Sequence, residues 1–493
     1  MQREITIKAS ITFRWLAVAV FLLPLCIGCG ERSAGRTGSS SSGSSQSPGP
    51  QGKWTWVGGS SALSQPSIYG TEGVASSSNV PQGRYGAASW TDASGNFWLF
   101  GGYSTYSQGK LNDLWKYDPS TKEWTWMGGS KQANQAGVYG TMGVPSSGNY
   151  PGARMEAMTW VGKNGNFWLF GGVGVDGNGS KGTLDDLWKY DPATNEWTWM
   201  DGSKQAAFSE TDSFSGAGVY GVKGIPAAQN FPGARQEGMT WVDSSGNLWL
   251  FGGNGAGVNG QIGDLDDLWK YNPATNEWTW VDGPDTNTGE NGVYGTKGMA
   301  SPSNIPGSRT DAATWTGISG NFWLFGGDGA DAQDCQDSTP PCELNDLWKY
   351  NPSTNEWTWV GGPDKNNQPG VYGTEGVAAT SSIPPSDDGA LAWTDAQGNF
   401  WLFGGSSSST DELNDLWEYD PSSNEWTWMS GGDTGCPAAS YGQMGYSSSA
   451  TPPPPRWGAS GWIDNTGNLW IFGGSDDTCR GVGTMNDLWE YQP

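Results

Sequence analysis

One phrase recurs six times along this chain of 493 residues. Its first copy opens on Phe100-Gly101-Gly102. After a loop it continues as Asn112-Asp113-Leu114-Trp115-Lys116-Tyr117-Asp118-Pro119 and ends on Glu123-Trp124-Thr125-Trp126. Phe170, Phe251, Phe325, Phe403 and Phe472 open the other copies, about 74 residues apart on average. A repeat of this kind is one supersecondary unit that cannot bury its apolar face alone, so neighbouring copies must stack.

Each copy holds four short runs with strand character. In the first these are Ala88-Ser89-Trp90-Thr91, Phe97-Trp98-Leu99-Phe100, Leu114-Trp115-Lys116-Tyr117 and Trp124-Thr125-Trp126. Aromatic and β-branched residues fill them and turn residues bound them. No run of helical length with a 3.6-residue period lies between them. Four strands repeated six times predict an all-β chain folded as a six-bladed β-propeller. The sixth copy stops at Asp487-Leu488-Trp489-Glu490-Tyr491 without its Trp-Thr-Trp strand, while Lys53-Trp54-Thr55-Trp56 stands at the other end. An N-terminal strand completing the last blade would leave no open sheet edge. Of 32 tryptophans, all but Trp15 and Trp457 fall at repeated positions. A Trp present in every copy is expected to be inter-sheet core, and Trp457 is the better candidate for a ligand contact.

Gly101-Gly102 is followed by Tyr117 and, after six further residues, by Trp124. The same spacing holds for Tyr190 and Trp197, Tyr271 and Trp278, Tyr350 and Trp357, and Tyr419 and Trp426. This pattern resembles the kelch repeat, the type also found in the central propeller of galactose oxidase, and it covers nearly all of residues 53–493. The resemblance stops short of that oxidase's chemistry. Its copper site uses two histidines and a Tyr–Cys cross-link, and this chain has no histidine. The same absence removes His-ligated zinc and any His-dependent triad. No cofactor and no metal are implied.

The N-terminal residues read as targeting sequence. Arg3, Lys8 and Arg14 precede an apolar run over residues 15–25, too short for a membrane span. Cys26-Ile27-Gly28-Cys29 resembles a bacterial lipoprotein box with Cys29 as the lipidated residue, although Cys26 stands where Leu is usual. An ordinary cleaved signal, and hence secretion, is the alternative. The expected organisation is a signal over 1–28, a lipidated Cys29 with a Ser/Gly-rich tether over 29–52, and the propeller over 53–493. The chain is expected to be a monomer touching the membrane only through its lipid. A net charge of −25 argues against nucleic acid and anionic membrane surfaces. The cysteines beyond residue 29 are expected to pair as Cys335–Cys342 and Cys436–Cys479, as suits an oxidising compartment.

Loops alternate between short turns and long connections, which places both long kinds on one face, the expected binding face. The blade-to-blade loop repeats too, as in Val138-Tyr139-Gly140-Thr141, and reads as structural. Six residues before each first-strand Trp stands Arg84, Arg154, Arg235, Arg309, Asp387 or Arg456. Two positions later come Gly86, Glu156, Glu237, Asp311, Gly389 and Gly458, and the fifth copy adds Asp388. These groups are expected to ring the mouth of the central channel, where arginines and carboxylates could hold an anionic or polyhydroxyl ligand. A repeated arginine that ties its loop by hydrogen bonds is the competing reading. Two further motifs are weaker. Asp92-Ala93-Ser94-Gly95-Asn96 is reminiscent of a sialidase Asp-box but reads as a turn. Asp176-Gly177-Asn178-Gly179-Ser180, followed by Asp185 and Asp186, spaces oxygens like a calcium loop without its full pattern, and reads as a solvated loop.

The expectation is a non-catalytic, exported propeller binding a glycan or a protein through its long-loop face. Some kelch-type propellers isomerise acidic sugars. An enzyme of that kind, with Glu156 or Glu237 as acid or base and Arg154 or Arg235 clamping a carboxylate, is the alternative. A purely structural surface protein is the third reading.

Overall fold

The computed structural model describes residues 52–208, 215–286, 289–333, 342–407, 411–437 and 440–493. Among them every regular element is a strand, and the sheets are antiparallel, an all-β architecture of the β-propeller type. No helix of the described residues is long and apolar enough to cross a membrane.

In the first unit Ala88–Thr91, Phe97–Phe100, Leu114–Asp118 and Glu123–Gly128 pair in chain order. The same four-strand order recurs in the units built around Phe170, Phe251, Phe325 and Phe403. The strand that ends on Phe472 pairs with Ser460–Ile463 and Leu488–Gln492, and the next neighbour is Lys53–Gly58 from the far end of the chain. Trp54 lies opposite Tyr491 and Trp56 opposite Trp489.

Two loops between second and third strands are more regular than their sequence predicts. Leu248–Ala256 pairs with Ile262–Asn272, and Phe322–Gly329 with Glu343–Asn351, so these strands run past the repeat as long ribbons. The register shifts at Phe251/Gly253 and at Phe325/Gly327. Glycines at positive φ, such as Gly252 at 62° and Gly253 at 90°, let the chain bulge and keep pairing. Gly-rich text between aromatic runs hides such a ribbon from a pattern reading.

The tryptophans fill the seams between sheets. Trp90 stacks on Phe167 of the next unit at 5.2 Å and 4°. Trp241 on Phe322 and Trp315 on Phe400 repeat the contact. Trp462 makes it with Phe97, joining the last unit to the first at 5.2 Å and 8°. The indole N–H of Trp160 donates to the Trp249 carbonyl at 2.9 Å, so the ring is both buried and satisfied. Trp54 is fully buried and meets Phe403 at 5.3 Å and Tyr491 at 4.8 Å. Although distant in sequence from both, it is core in the same sense as Trp188. Trp54→Ala is therefore expected to destabilise the fold by about 3–5 kcal/mol, as much as Trp188→Ala. Urea unfolding of the two variants followed by tryptophan fluorescence checks this.

Candidate functional site

The six positions that follow each arginine by two residues meet around one point. The Glu156 amide donates to the Gly86 carbonyl at 2.8 Å, Glu237 to Glu156 at 3.1 Å, and Asp311 to Glu237 at 3.1 Å. Gly389 donates to Asp311 at 3.2 Å, Gly458 to Gly389 at 3.1 Å, and Gly86 to Gly458 at 2.8 Å. The hydrogen bonds thus run through all six units and return to the first. To direct N–H and C=O to opposite neighbours, every one of these residues adopts the left-handed backbone, with φ between 51° at Asp311 and 64° at Gly389. Glycine takes that conformation freely; other residues incur about 1–2 kcal/mol. Three consecutive units accept that cost for a carboxylate, and strain held at one point is a pointer to function.

Above this cycle lies a cavity of ≈ 190 Å³ lined from all six units, with Glu156, Glu237, Asp311 and Trp457 as its functional side chains. All four are half-buried. Burial, then the charge of Glu237 and the hydrogen bond to it, push the Glu156 carboxyl well above its ordinary range. Glu237 is raised by burial, although Glu156 and Gln236 donate to it, the latter at 2.9 Å. Asp311 is raised by burial and then by Glu237 and Glu156. Asp388, half-buried beside the cavity, is pushed up to about 8 by burial and then by Glu343 and Asp328. Trp457 tilts over Tyr85 at 4.6 Å and donates its indole N–H to Asp477 at 3.2 Å. A larger cavity of ≈ 420 Å³ is lined by Val57, Ile68, Val80 and Trp124 with Lys122 as its cation. It gathers no cluster of carboxylates like that of the central one.

The arginines are not at this mouth. Arg84, Arg154, Arg235, Arg309 and Arg456 are at most 1% exposed. Each forms a two-pronged ion pair within its own unit, with Asp113, Asp186, Asp267, Asp346 and Asp487 respectively. In the third unit Arg235 reaches Asp267 at 2.6 and 2.8 Å and donates to the carbonyls of Gly233 and Gly252. The expectation that they ring the mouth is corrected: a fully desolvated guanidinium needs a carboxylate and carbonyls around it, and the acceptors lie inside the sheet. The same aspartate accepts Tyr220 at 2.6 Å and Trp269 at 2.7 Å. The repeated loop tyrosine, the Asp-Leu-Trp phrase and the arginine are therefore one network. Burial pulls Asp487 up, but the charge and hydrogen bonds of Arg456 hold it below the ordinary carboxylate range. Asp415, whose unit has Asp387 in place of an arginine, is pushed by burial to about 6 despite donors from Trp417 and Tyr372.

The other sequence candidates are placed as follows. Asp176 is buried rather than solvated, and its carboxylate accepts the amides of Asn178, Ser180 and Ala206. Asp185 accepts the Ser203 amide, and Asp186 is the partner of Arg154, so the loop does not assemble as a calcium site. Asp92 accepts the Ser94 and Asn96 amides and the Trp98 indole, an Asx-type turn. Cys436 and Cys479 form a disulfide. Glu412 lies beside them, but two sulfurs bonded to each other are not thiolate ligands. Cys342 is disulfide-bonded, whereas Cys335 and Cys29 lie outside the described residues. The mouth carboxylates were legible in the sequence; the buried acceptors Asp113 and its counterparts were not recognised, although their invariant place before Leu-Trp was the available signal.

No family model matches the chain. It is similar to a kelch repeat-containing protein from Arthroderma benhamiae, 28% identical over 255 residues. The match covers 48% of this chain and 36% of that relative, so the chain corresponds to about a third of its length. The similarity supports the kelch-repeat reading.

Two outcomes are expected. Arg235→Ala should cost about 3–5 kcal/mol in denaturant unfolding, because it leaves Asp267 charged, buried and unpaired; an arginine whose role was ligand contact would lose binding at unchanged stability. The raised mouth carboxyls bind more protons folded than unfolded, so they lower stability as pH rises from about 4, where unfolded carboxyls titrate, through their folded values. Glu156, pushed up to about 9, sets the upper reach of that window. Melting temperature measured from pH 4 to 9 should fall less steeply in Glu237→Gln than in the parent, with the two meeting at the acidic end.

Proposed function

We propose that the chain is a six-bladed kelch-type propeller that acts as a non-catalytic binding module, receiving a basic side chain of a protein partner in its central mouth. Strand Lys53–Gly58 completes the last blade in this reading. Its pairing with Leu488–Gln492, the Trp462–Phe97 contact and the cycle of six backbone hydrogen bonds support the closed ring.

The observation that carries the ligand class is the meeting of Glu156, Glu237 and Asp311 in one cavity that no arginine reaches. Crowded carboxylates are relieved by an incoming cation, whereas an acidic sugar would meet like charge. The isomerase alternative loses its clamp for the same reason, because both proposed arginines are already paired with buried aspartates. The aromatic pair Trp457 and Tyr85 beside the acids suits the stem of a lysine or arginine. Such a face on a kelch scaffold fits a protein ligand.

In this reading the module works outside the cytoplasm, tethered by residues 29–52 behind a lipidated Cys29. The Cys436–Cys479 disulfide supports an oxidising compartment, and the signal-like residues 1–28 support export.

Isothermal titration of the full chain with a lysine-rich peptide, a neutral oligosaccharide and a uronic acid tests the ligand class. The peptide is expected to bind, to weaken with salt, and to lose about tenfold in affinity in Glu237→Gln, or ~1.4 kcal/mol. Salt-independent binding of the neutral oligosaccharide alone would shift the reading to a glycan, and binding of the uronic acid would overturn it.

A further inference from the structure

The fifth unit breaks the arginine network in a particular way. Its acceptor half is intact: Asp415 still receives Tyr372 at 2.7 Å and Trp417 at 2.7 Å on Oδ2. Its donor half is reversed, because the residue in the arginine position is Asp387. The backbone has not moved to compensate. Asp387 donates to the Leu344 carbonyl at 3.3 Å, just as Arg456 donates to Leu413 at 3.0 Å and Arg154 to Leu111 at 2.9 Å. Asp387 is 3% exposed and Asp415 2%. Among the described residues no group donates a hydrogen bond to the Asp387 carboxylate.

The other five units show what belongs beside such an aspartate. In the sixth, the Arg456 guanidinium donates to the carbonyls of Pro454 at 3.0 Å and Gly473 at 2.7 Å and to both oxygens of Asp487 at 2.8 Å. The counterparts in the fifth unit are the carbonyls of Pro385 and Gly404 and the Asp415 carboxylate. These are all acceptors, and Asp387 adds two more oxygens. The Asp387 carboxylate sits close against the backbone of Gly326 and Gly405, so it stays inside the same seam rather than turning to solvent. The charge count is equally specific. Five units balance one guanidinium against one carboxylate. The fifth holds two carboxylates, which one doubly charged cation would balance. A buried charge without a counter-charge is costly, and hard oxygen donors of mixed carboxylate and carbonyl type are the set that calcium takes.

We propose that Asp387 and Asp415, with the carbonyl oxygens of Pro385 and Gly404, bind one divalent cation of the calcium class, which does in the fifth unit what the arginine side chain does in the other five. Four protein residues leave room in a coordination shell of about six to eight oxygens for water. The site is structural in consequence: it ties the loop entering the fifth unit to its third strand. It is separate from the central mouth and holds whether or not the mouth binds a basic partner.

The test uses the full chain stripped with a chelator and then given calcium, magnesium or buffer, with metal content measured by elemental analysis. Calcium is expected to bind one per chain and to raise the melting temperature by a few degrees, more than magnesium does. Asp387→Asn, of the same shape, should lose both the ion and the shift. Asp387→Arg restores the repeat and should melt in chelator near the calcium-loaded parent, with no further response to the metal. Glu237→Gln, at the mouth, should keep the calcium response. The proposal is overturned if the parent neither retains nor responds to calcium, which would mean that a proton neutralises the pair. It is equally overturned if Asp387→Asn keeps the shift while Glu237→Gln loses it, which would assign the ion to the mouth.

Discussion

The interaction on which the structure depends is the buried arginine–aspartate pair that five units share. Its aspartate is a hub. It stands before the Leu-Trp of the third strand, takes the guanidinium from the segment entering the first strand, takes the tyrosine hydroxyl from the preceding loop, and takes the indole two residues on. Three parts of a unit that are far apart in sequence are thereby fixed to one carboxylate. Such a hub is stable only when complete, because removing one member strands a desolvated charge. That completeness explains why the loop text repeats as faithfully as the strands do.

Around the hub, tryptophan does the apolar work. The first-strand ring lies flat on a phenylalanine of the next unit in four well-stacked seams, including the one between the sixth unit and the first. A flat ring over a ring fills a wedge-shaped seam with little side-chain entropy to lose. Polar pairing inside each unit and aromatic stacking between units are thus divided between two sets of residues, and each set repeats.

The central mouth follows from both. The residues two positions after the arginine, or after Asp387 in the fifth unit, all adopt the left-handed backbone and are joined from unit to unit by hydrogen bonds. Acids in three successive units share one small cavity. Their mutual repulsion and burial are properties of the shared cavity, not of any one residue. The carboxylates gather where the fold is most constrained, the kind of place at which binding groups are held in advance of the ligand.

The sequence by itself determined the repeat, its four recurrent strands, the tryptophan core and the mouth positions of Glu156, Glu237 and Asp311, because period and aromatic pattern are local and occur six times. Lys53–Gly58 was legible as the missing strand by simple count. What only the tertiary structure decided is which way charged side chains turn. Arginine and glutamate two residues apart read as one rim, yet one is fully desolvated in an ion pair and the other faces the cavity. Nothing local distinguishes them, since the partner of Arg154 is Asp186, 32 residues on. The ribbons at Gly252-Gly253 and Gly326-Gly327 were hidden for a related reason: a glycine pair reads as a turn until long-range pairing makes it a bulge. The exchange of arginine for Asp387 was visible as a break in the pattern, but only burial beside Asp415 gives that break its electrostatic meaning.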